Sequence, residues 1–419
     1  MTTRDTSNTV TRRRFLAAAG AVTGSATLGI GGRSLNWSAT ELVEVNVGYA
    51  ATDGLDAALS EATEIVREFD FDAVTLRLPR GAAGWLAGHD DVRYVEHNIQ
   101  KRLLEGVETQ DVQPQSDTLP NGIERIDCDL VHEAGFTGKG ASVAVVDTGI
   151  ESTHEDLEQN LGAGKSYVEE EEEEVIVDED EDGTTVIIRD GDVEDSNLPA
   201  WQDGHGHGTH VAGIAAAADN GEGIVGVAPE ATLHAVKIGT EDGIDASDVA
   251  AGIEHVGDQG WDVANVSLGD EEQSDVIKDA CRYAYEKGVL LVGAAGNADE
   301  GEDNTIVRYP AANEEVVAVS ATTGDGEIAE FSLTGPEVEL AAPGEEILST
   351  IPGDDYQESS GTSMAAPHVC GAAALLMADG YSNVEARARL CETAEDVGLD
   401  ETEQGYGVVN VAAALGVGT

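Results

Sequence analysis

The sequence predicts an α/β protein: a doubly wound, mostly parallel sheet with helices on both faces, preceded by a small α+β unit. Three observations predict it. Apolar runs such as Ala141 to Val146 and Val289 to Ala295 have the continuous hydrophobicity of strands buried on both faces. From about Ile123 such runs alternate with Ala-rich segments of helical spacing, the order that a parallel sheet with crossover helices requires. Hydrophobic residues make up 41% of the 419, enough for a sizeable core despite a large acidic excess.

Residues 1–40 read as an export segment: a polar start, Arg12 to Arg14, the mildly apolar Phe15 to Ile30, then Gly31 to Ser38. The apolar stretch is too short and Gly-rich for a stable membrane anchor. Arg12, Arg13, Arg14, Phe15 and Leu16 resemble the core of a twin-arginine signal, so secretion by that route is expected. Residues 41–100 read as the α+β unit. Leu42 to Val47 alternates as a strand, Leu55 to Phe69 has helical spacing, and Asp72 to Leu78 alternates again. Ala82 to Leu86 is helical and Arg93 to Asn98 is a last strand. Residues 101–119, polar and broken by Pro114, read as a linker.

The large unit spans 120–419. Its strands are expected at Ser142 to Val146, Thr232 to Ile238, Val263 to Ser267, Val289 to Gly293 and Val316 to Val319. Its helices are expected at Gly208 to Ala217, Ala246 to His255, Val276 to Lys287 and Thr362 to Met377. Residues 169–195 interrupt this pattern with Glu169 to Glu174 and two short apolar runs around an acidic turn. They read as an inserted hairpin, which is either a solvated surface feature, a weak cation binder or a control on access to a cleft.

Asp and Glu number 82 against 22 Lys and Arg, so the net charge is 22 − 82 = −60. Nucleic acid is excluded as a partner, because phosphate binding needs clustered cations. Anionic membranes are disfavoured for the same reason. So dense a carboxylate surface repels itself unless concentrated counterions screen it, to about 3 Å at 1 M. A high-salt environment is therefore expected. Cys128, Cys281, Cys370 and Cys391 lack metal-site spacing. Either disulfides or buried free thiols are compatible with them.

Three segments carry chemistry. They are Val146, Asp147, Thr148, Gly149; then His207, Gly208, Thr209, His210; then Gly361, Thr362, Ser363, Met364, Ala365. Asp147 ends a buried strand, while His207 and Ser363 each open an Ala-rich helix. An acid, a base and a hydroxyl nucleophile are thus offered at positions that a sheet edge can bring together.

These segments resemble the subtilisin family of serine proteases, in the family's order of acid, base and nucleophile, and the likeness covers about Asn121 to Val411. The resemblance implies a subtilisin-like fold and endopeptidase activity on protein and peptide substrates, with Asp147, His207 and Ser363 as the triad and His210 structural. It implies Asn297 as the side-chain donor to the developing oxyanion. It further implies Ser267, Leu268 and Gly269, with Ala294, Ala295 and Gly296, as the two walls of the pocket for the residue before the cut. Arg308 falls where the family has a small residue at the pocket floor. Its guanidinium either reaches the floor, favouring an acidic substrate residue, or turns outward to carboxylates such as Glu302 or Asp303. A structural calcium site is implied at Asp156, Asn220, Ala218, Glu222 and Ile224, completed by Asp117. No catalytic cofactor is implied. Val92, Arg93, Tyr94, Val95 and Glu96 resemble part of the family's inhibitory propeptide, so self-cleavage within 100–119 and a monomeric product are expected. The spacing of 207 − 147 = 60 residues is about twice the family's, and the acidic insertion accounts for the excess.

Overall fold

A computed structural model describes residues 41–418 except 105, 115–117, 169–175, 180–184, 189–197, 241–242 and 299–303. The export segment 1–40 lies outside the described residues, as does Asp117. Of the acidic insertion, the strands Ile176–Glu179 and Thr185–Ile188 are described, and they pair antiparallel as a hairpin.

Seven strands form the large sheet, all paired parallel, in the order Val338–Pro343, Val316–Thr322, Leu290–Ala294, Val263–Val266, Ser142–Asp147, Thr232–Lys237, Lys165–Ser166. Successive side chains of a strand point to opposite faces. Val143 and Val145 accordingly join one core with the helix Thr362–Ala378, while Ala144 and Val146 join another with the helices Ala246–Gln259 and Asp275–Glu286. Both faces are covered, as the apolar runs require.

The N-terminal unit is an antiparallel sheet in the order Glu64–Phe69, Ala73–Pro79, Leu42–Tyr49, Val92–His97, with the helices Thr52–Glu61 and Arg80–Leu86. The helix expected over Leu55 to Phe69 is corrected here: it ends at Glu61. Ala62 turns to extended backbone, and the β-branched Ile65 and Val66 then lie on a strand paired with Ala73–Pro79. At the other terminus the last helix is Val411–Leu415, after Gly405 and Gly407 take positive φ.

The unit docks on the outer helices of the large sheet. Glu96 accepts from the backbone N–H groups of Asp275 (2.7 Å) and Val276 (3.1 Å), satisfying the start of the helix Asp275–Glu286. Arg93 and Tyr94 both reach Asp279, and Arg67 pairs with Asp248. These contacts place cations of the small unit against the acidic skin of the large one.

The four cysteines are unbonded, three of them buried. Burial pushes the thiols of Cys128, Cys281 and Cys370 up from their ordinary pKa.

Candidate active site

After Ser142–Asp147 the chain fills one side of it with Lys165–Ser166 and Thr232–Lys237, then crosses to Val263–Val266 and winds outward on the other side, so the winding switches between Ser142–Asp147 and Val263–Val266. Ligands of open α/β sheets bind beyond the carboxyl ends of the strands at such a switch point. Asp147 is the last residue of its strand, His207 is the first residue of the helix His207–Ala216, and Ser363 is the second of Thr362–Ala378. His207 Nδ1 lies 2.8 Å from Asp147 Oδ1, and both side chains are buried. Close approach of helix and strand end requires Gly208, where any Cβ would run into the Gly149 carbonyl oxygen.

Sequence reasoning missed Asp203, which fixes the helix start. Its Oδ1 accepts from the N–H groups of His205 (2.9 Å) and Gly206 (3.0 Å), and its Oδ2 from Thr209 N–H (2.9 Å) and Oγ1 (2.6 Å). Asp203 stands three residues before the N-cap, Gly206, so the usual capping position did not mark it. His210 is fully enclosed, with Nε2 3.0 Å from the Gln357 carbonyl oxygen. Burial depresses its pKa to about 4, which keeps it neutral near pH 7. His205 lines a cleft of about 510 Å³ together with Gly106, His207, Pro352 and Met364.

The residues read as a linker enter this site. Gln100–Leu103 forms a strand between Ile244–Asp245 and Leu268–Gly269, antiparallel to both. Val107–Asp111 pairs antiparallel with Asp355–Ser360. Between them Ser363 Oγ donates to the carbonyl oxygen of Leu104 at 2.7 Å. Leu104 had no signal of its own: Gln100, Lys101 and Arg102 show no strand alternation, and the partner strands supply the order.

Asn297 Oδ1 accepts from Thr362 N–H and Oγ1, both at 2.9 Å. Its Nδ2 therefore faces Gly361, where an added Cβ would stand 3.2 Å away. Thr362 Oγ1 also accepts from Gly296 N–H at 3.1 Å, tying the Asn297 loop to the Ser363 helix.

The first expected pocket wall, Ser267 to Gly269, lines the Leu104 side chain. Leu104 N–H donates weakly to the Ser267 carbonyl at 3.4 Å, and a Cβ on Gly269 would stand 3.1 Å and 3.2 Å from the two Leu104 Cδ atoms. Ala294 and Ala295 of the second wall are fully buried. The Arg308 stem passes between the walls: an added Cβ would meet its Cβ at 2.8 Å from Gly269 and its Cγ at 2.5 Å from Gly296. Arg308 Nη1 pairs with Glu271 Oε1 at 2.6 Å. Glu302 and Asp303 lie outside the described residues.

Asp156 Oδ2 accepts from Ile224 N–H and from the Tyr356 hydroxyl, both at 2.9 Å, and its Oδ1 from Asn220 Nδ2 at 3.2 Å. Asn220 Oδ1 accepts from Glu222 N–H at 2.8 Å, and Ala218 N–H donates to the Asp156 carbonyl. Thr118, next to Asp117, is stitched to this loop through Gly223 and Val225. Among the described residues no group of three or more His, Cys, Asp or Glu could hold a metal ion. Carbonyl and amide oxygens would supply most ligands, a hard donor set that suits calcium. Burial raises the Asp156 pKa, and a cation beside it would offset that cost.

A model of the Subtilase family matches residues 138–408, which include Asp147, His207, Asn297 and Ser363. The chain is 40% identical over 310 residues to an alkaline protease of Alkalihalobacillus alcalophilus, covering 73% of this chain and 72% of that one. It is 40% identical over 300 residues to Subtilisin Savinase of Lederbergia lenta (71% and 98%) and 37% over 300 residues to Subtilisin E of Bacillus subtilis strain 168 (71% of each). Likeness of this extent, laid over a parallel sheet with Asp147 bonded to His207 and Asn297 bonded beside Ser363, means that the chain belongs to the subtilase family, as a subtilisin-like serine protease.

Proposed function

We propose that the protein is a secreted endopeptidase, exported by the twin-arginine route and made as a self-processing precursor that first cuts its own chain after Leu104. One observation carries this reading: the Leu104 carbonyl oxygen lies 2.7 Å from Ser363 Oγ, on a segment held as a strand on each side. The order of events follows from the groups present. Ser363 Oγ attacks the Leu104 carbonyl carbon while His207 takes the hydroxyl proton, and Asp147 orients and charge-stabilises the imidazolium. Asn297 Nδ2 and the Ser363 backbone N–H hold the oxyanion. His207 then gives its proton to the Glu105 nitrogen, the C–N bond breaks, and water hydrolyses the Leu104 ester with His207 as base again. The small unit, 41–100, stays docked as an inhibitor through Arg67, Arg93 and Glu96 until it is degraded.

The same route applies to other protein substrates. With Arg308 engaged by Glu271 and the Leu104 side chain against the Gly269 wall, a medium apolar residue before the cut is favoured over an acidic one. N-terminal sequencing of the secreted wild type and of Leu104→Glu tests both statements. The wild type is expected to begin at Glu105, and the variant to mature at least about tenfold more slowly, the scale of a poorly matched pocket residue. A wild-type start elsewhere defeats the reading of Leu104, and faster maturation of the variant would mean that Arg308 accepts acid.

Two further parts of the reading concern stability. Self-repulsion of a net charge of −60 requires molar salt, and the Asp156 loop with Asp117 binds calcium as a structural ion. Melting of the Ser363→Ala protein is expected roughly 10 °C lower in about 50 mM salt than in about 3 M, the shift that several kcal/mol gives in a domain of this size. In high salt a chelator lowers the melting temperature again, but not in an added Asp156→Asn variant. Salt-independent melting sinks the first statement, and indifference to the chelator sinks the second.

A further inference from the structure

We propose that the cleft contains a subsite for a lysine side chain, built by Asp270 and Glu272, and that the enzyme selects substrates with Lys three residues before the residue whose bond is cut. The proposal rests on the reading that Leu104 precedes the cut. Lys101 is three residues before it, and its side chain is 2% exposed. A buried ammonium costs several kcal/mol unless it is paired, so this placement demands partners. Lys101 Nζ donates to the Glu272 carbonyl at 3.1 Å and lies 3.9 Å from Asp270 Oδ2.

Those partners are held by bonds that do not involve Lys101. Asp270 exchanges backbone hydrogen bonds with Tyr309 at 3.0 and 2.9 Å, and its Oδ1 accepts from Glu272 N–H at 3.0 Å. Oδ2 and the Glu272 carbonyl are thereby aimed into the cleft before any ligand arrives. The neighbouring cation sharpens the point: Arg102 sits on the same strand and is exposed, so strand pairing alone does not bury charge here. An apolar side chain in place of Lys101 would forgo both contacts, and an acidic one would face Asp270 with like charge. Molar salt weakens exposed pairs, but an enclosed one is screened much less.

The test uses the mature enzyme and peptides ending in Arg-Leu-Leu before the cut, differing only in having Lys, Leu or Glu ahead of that tripeptide. Lys is expected to exceed Leu by about tenfold in kcat/KM, and Glu by more, a size typical of one well-placed charge contact. Asp270→Asn keeps an acceptor for Glu272 N–H but removes the charge, and is expected to cut the Lys to Leu ratio by at least about threefold. Cleavage after Leu at equal rates in all three peptides, or an unchanged ratio in Asp270→Asn, overturns the subsite alone. Failure to cleave any of them after Leu overturns the reading of Leu104, and the subsite with it.

Discussion

Ser363→Ala is expected to lower peptide hydrolysis by about 10⁶-fold, a magnitude carried over from subtilisin itself, and to leave the precursor uncut. The substitution removes one oxygen from a fully buried position at a helix start, so the fold should survive it. It deletes the hydrogen bond to the Leu104 carbonyl but none of the strand pairing that flanks that residue. The docking contacts of the small unit, from Arg67 to Asp248 and Arg93 to Asp279, are also untouched. The variant should therefore migrate as one chain with the small unit attached. Mass measurement and N-terminal sequencing check this: a Ser363→Ala protein that begins at Glu105 would show that another protease performs the maturation.

How much of this was legible in the sequence depends on what orders each segment. Strands such as Ser142–Asp147 and Leu290–Ala294 are buried on both faces, so their apolar runs announced them within a residue or two. Asp147, His207 and Ser363 were legible because each sits at an element boundary inside a recurring motif. The strand Glu64–Phe69 was misread because Ile65, Val66 and Phe69 have helical spacing, which pairing with Ala73–Pro79 overrides. The helix Asn383–Thr393 was overlooked although Ser382 and Glu385 form a capping box at its start.

Gln100–Leu103 is a different case. Its sequence carries two cations and no alternation, and it is a strand because Ile244–Asp245 and Leu268–Gly269 offer it unsatisfied edges. No local pattern reports that. For Arg308 the sequence placed the residue at the pocket, but Glu271, which pairs with it, belongs to a loop 37 residues away, from 308 − 271. Long-range charge partners of this kind are invisible to spacing arguments.

Asn297→Ala is expected to lower kcat by roughly 100- to 1000-fold with little change in KM, again a size known from subtilisin. The split follows from when the donor acts. Asn297 Oδ1 is committed to Thr362 N–H and Oγ1, an arrangement that fixes the amide plane and directs Nδ2 toward Gly361 and the start of the Ser363 helix. A donor fixed in advance is worth most where charge appears on the carbonyl oxygen, which happens in the transition state and not in the bound substrate. Losing it should leave binding along the strands Leu268–Gly269 and Ile244–Asp245 intact, because those contacts are main-chain bonds. Asn297→Asp sharpens the measurement: it keeps an oxygen for Thr362 but sets a carboxylate beside the forming oxyanion, so it should be at least as damaging as alanine despite its nearly identical shape. Steady-state kinetics on a leucine peptide decide the matter, and an alanine variant within tenfold of wild-type kcat, or one altered in KM alone, would remove Asn297 from the oxyanion site.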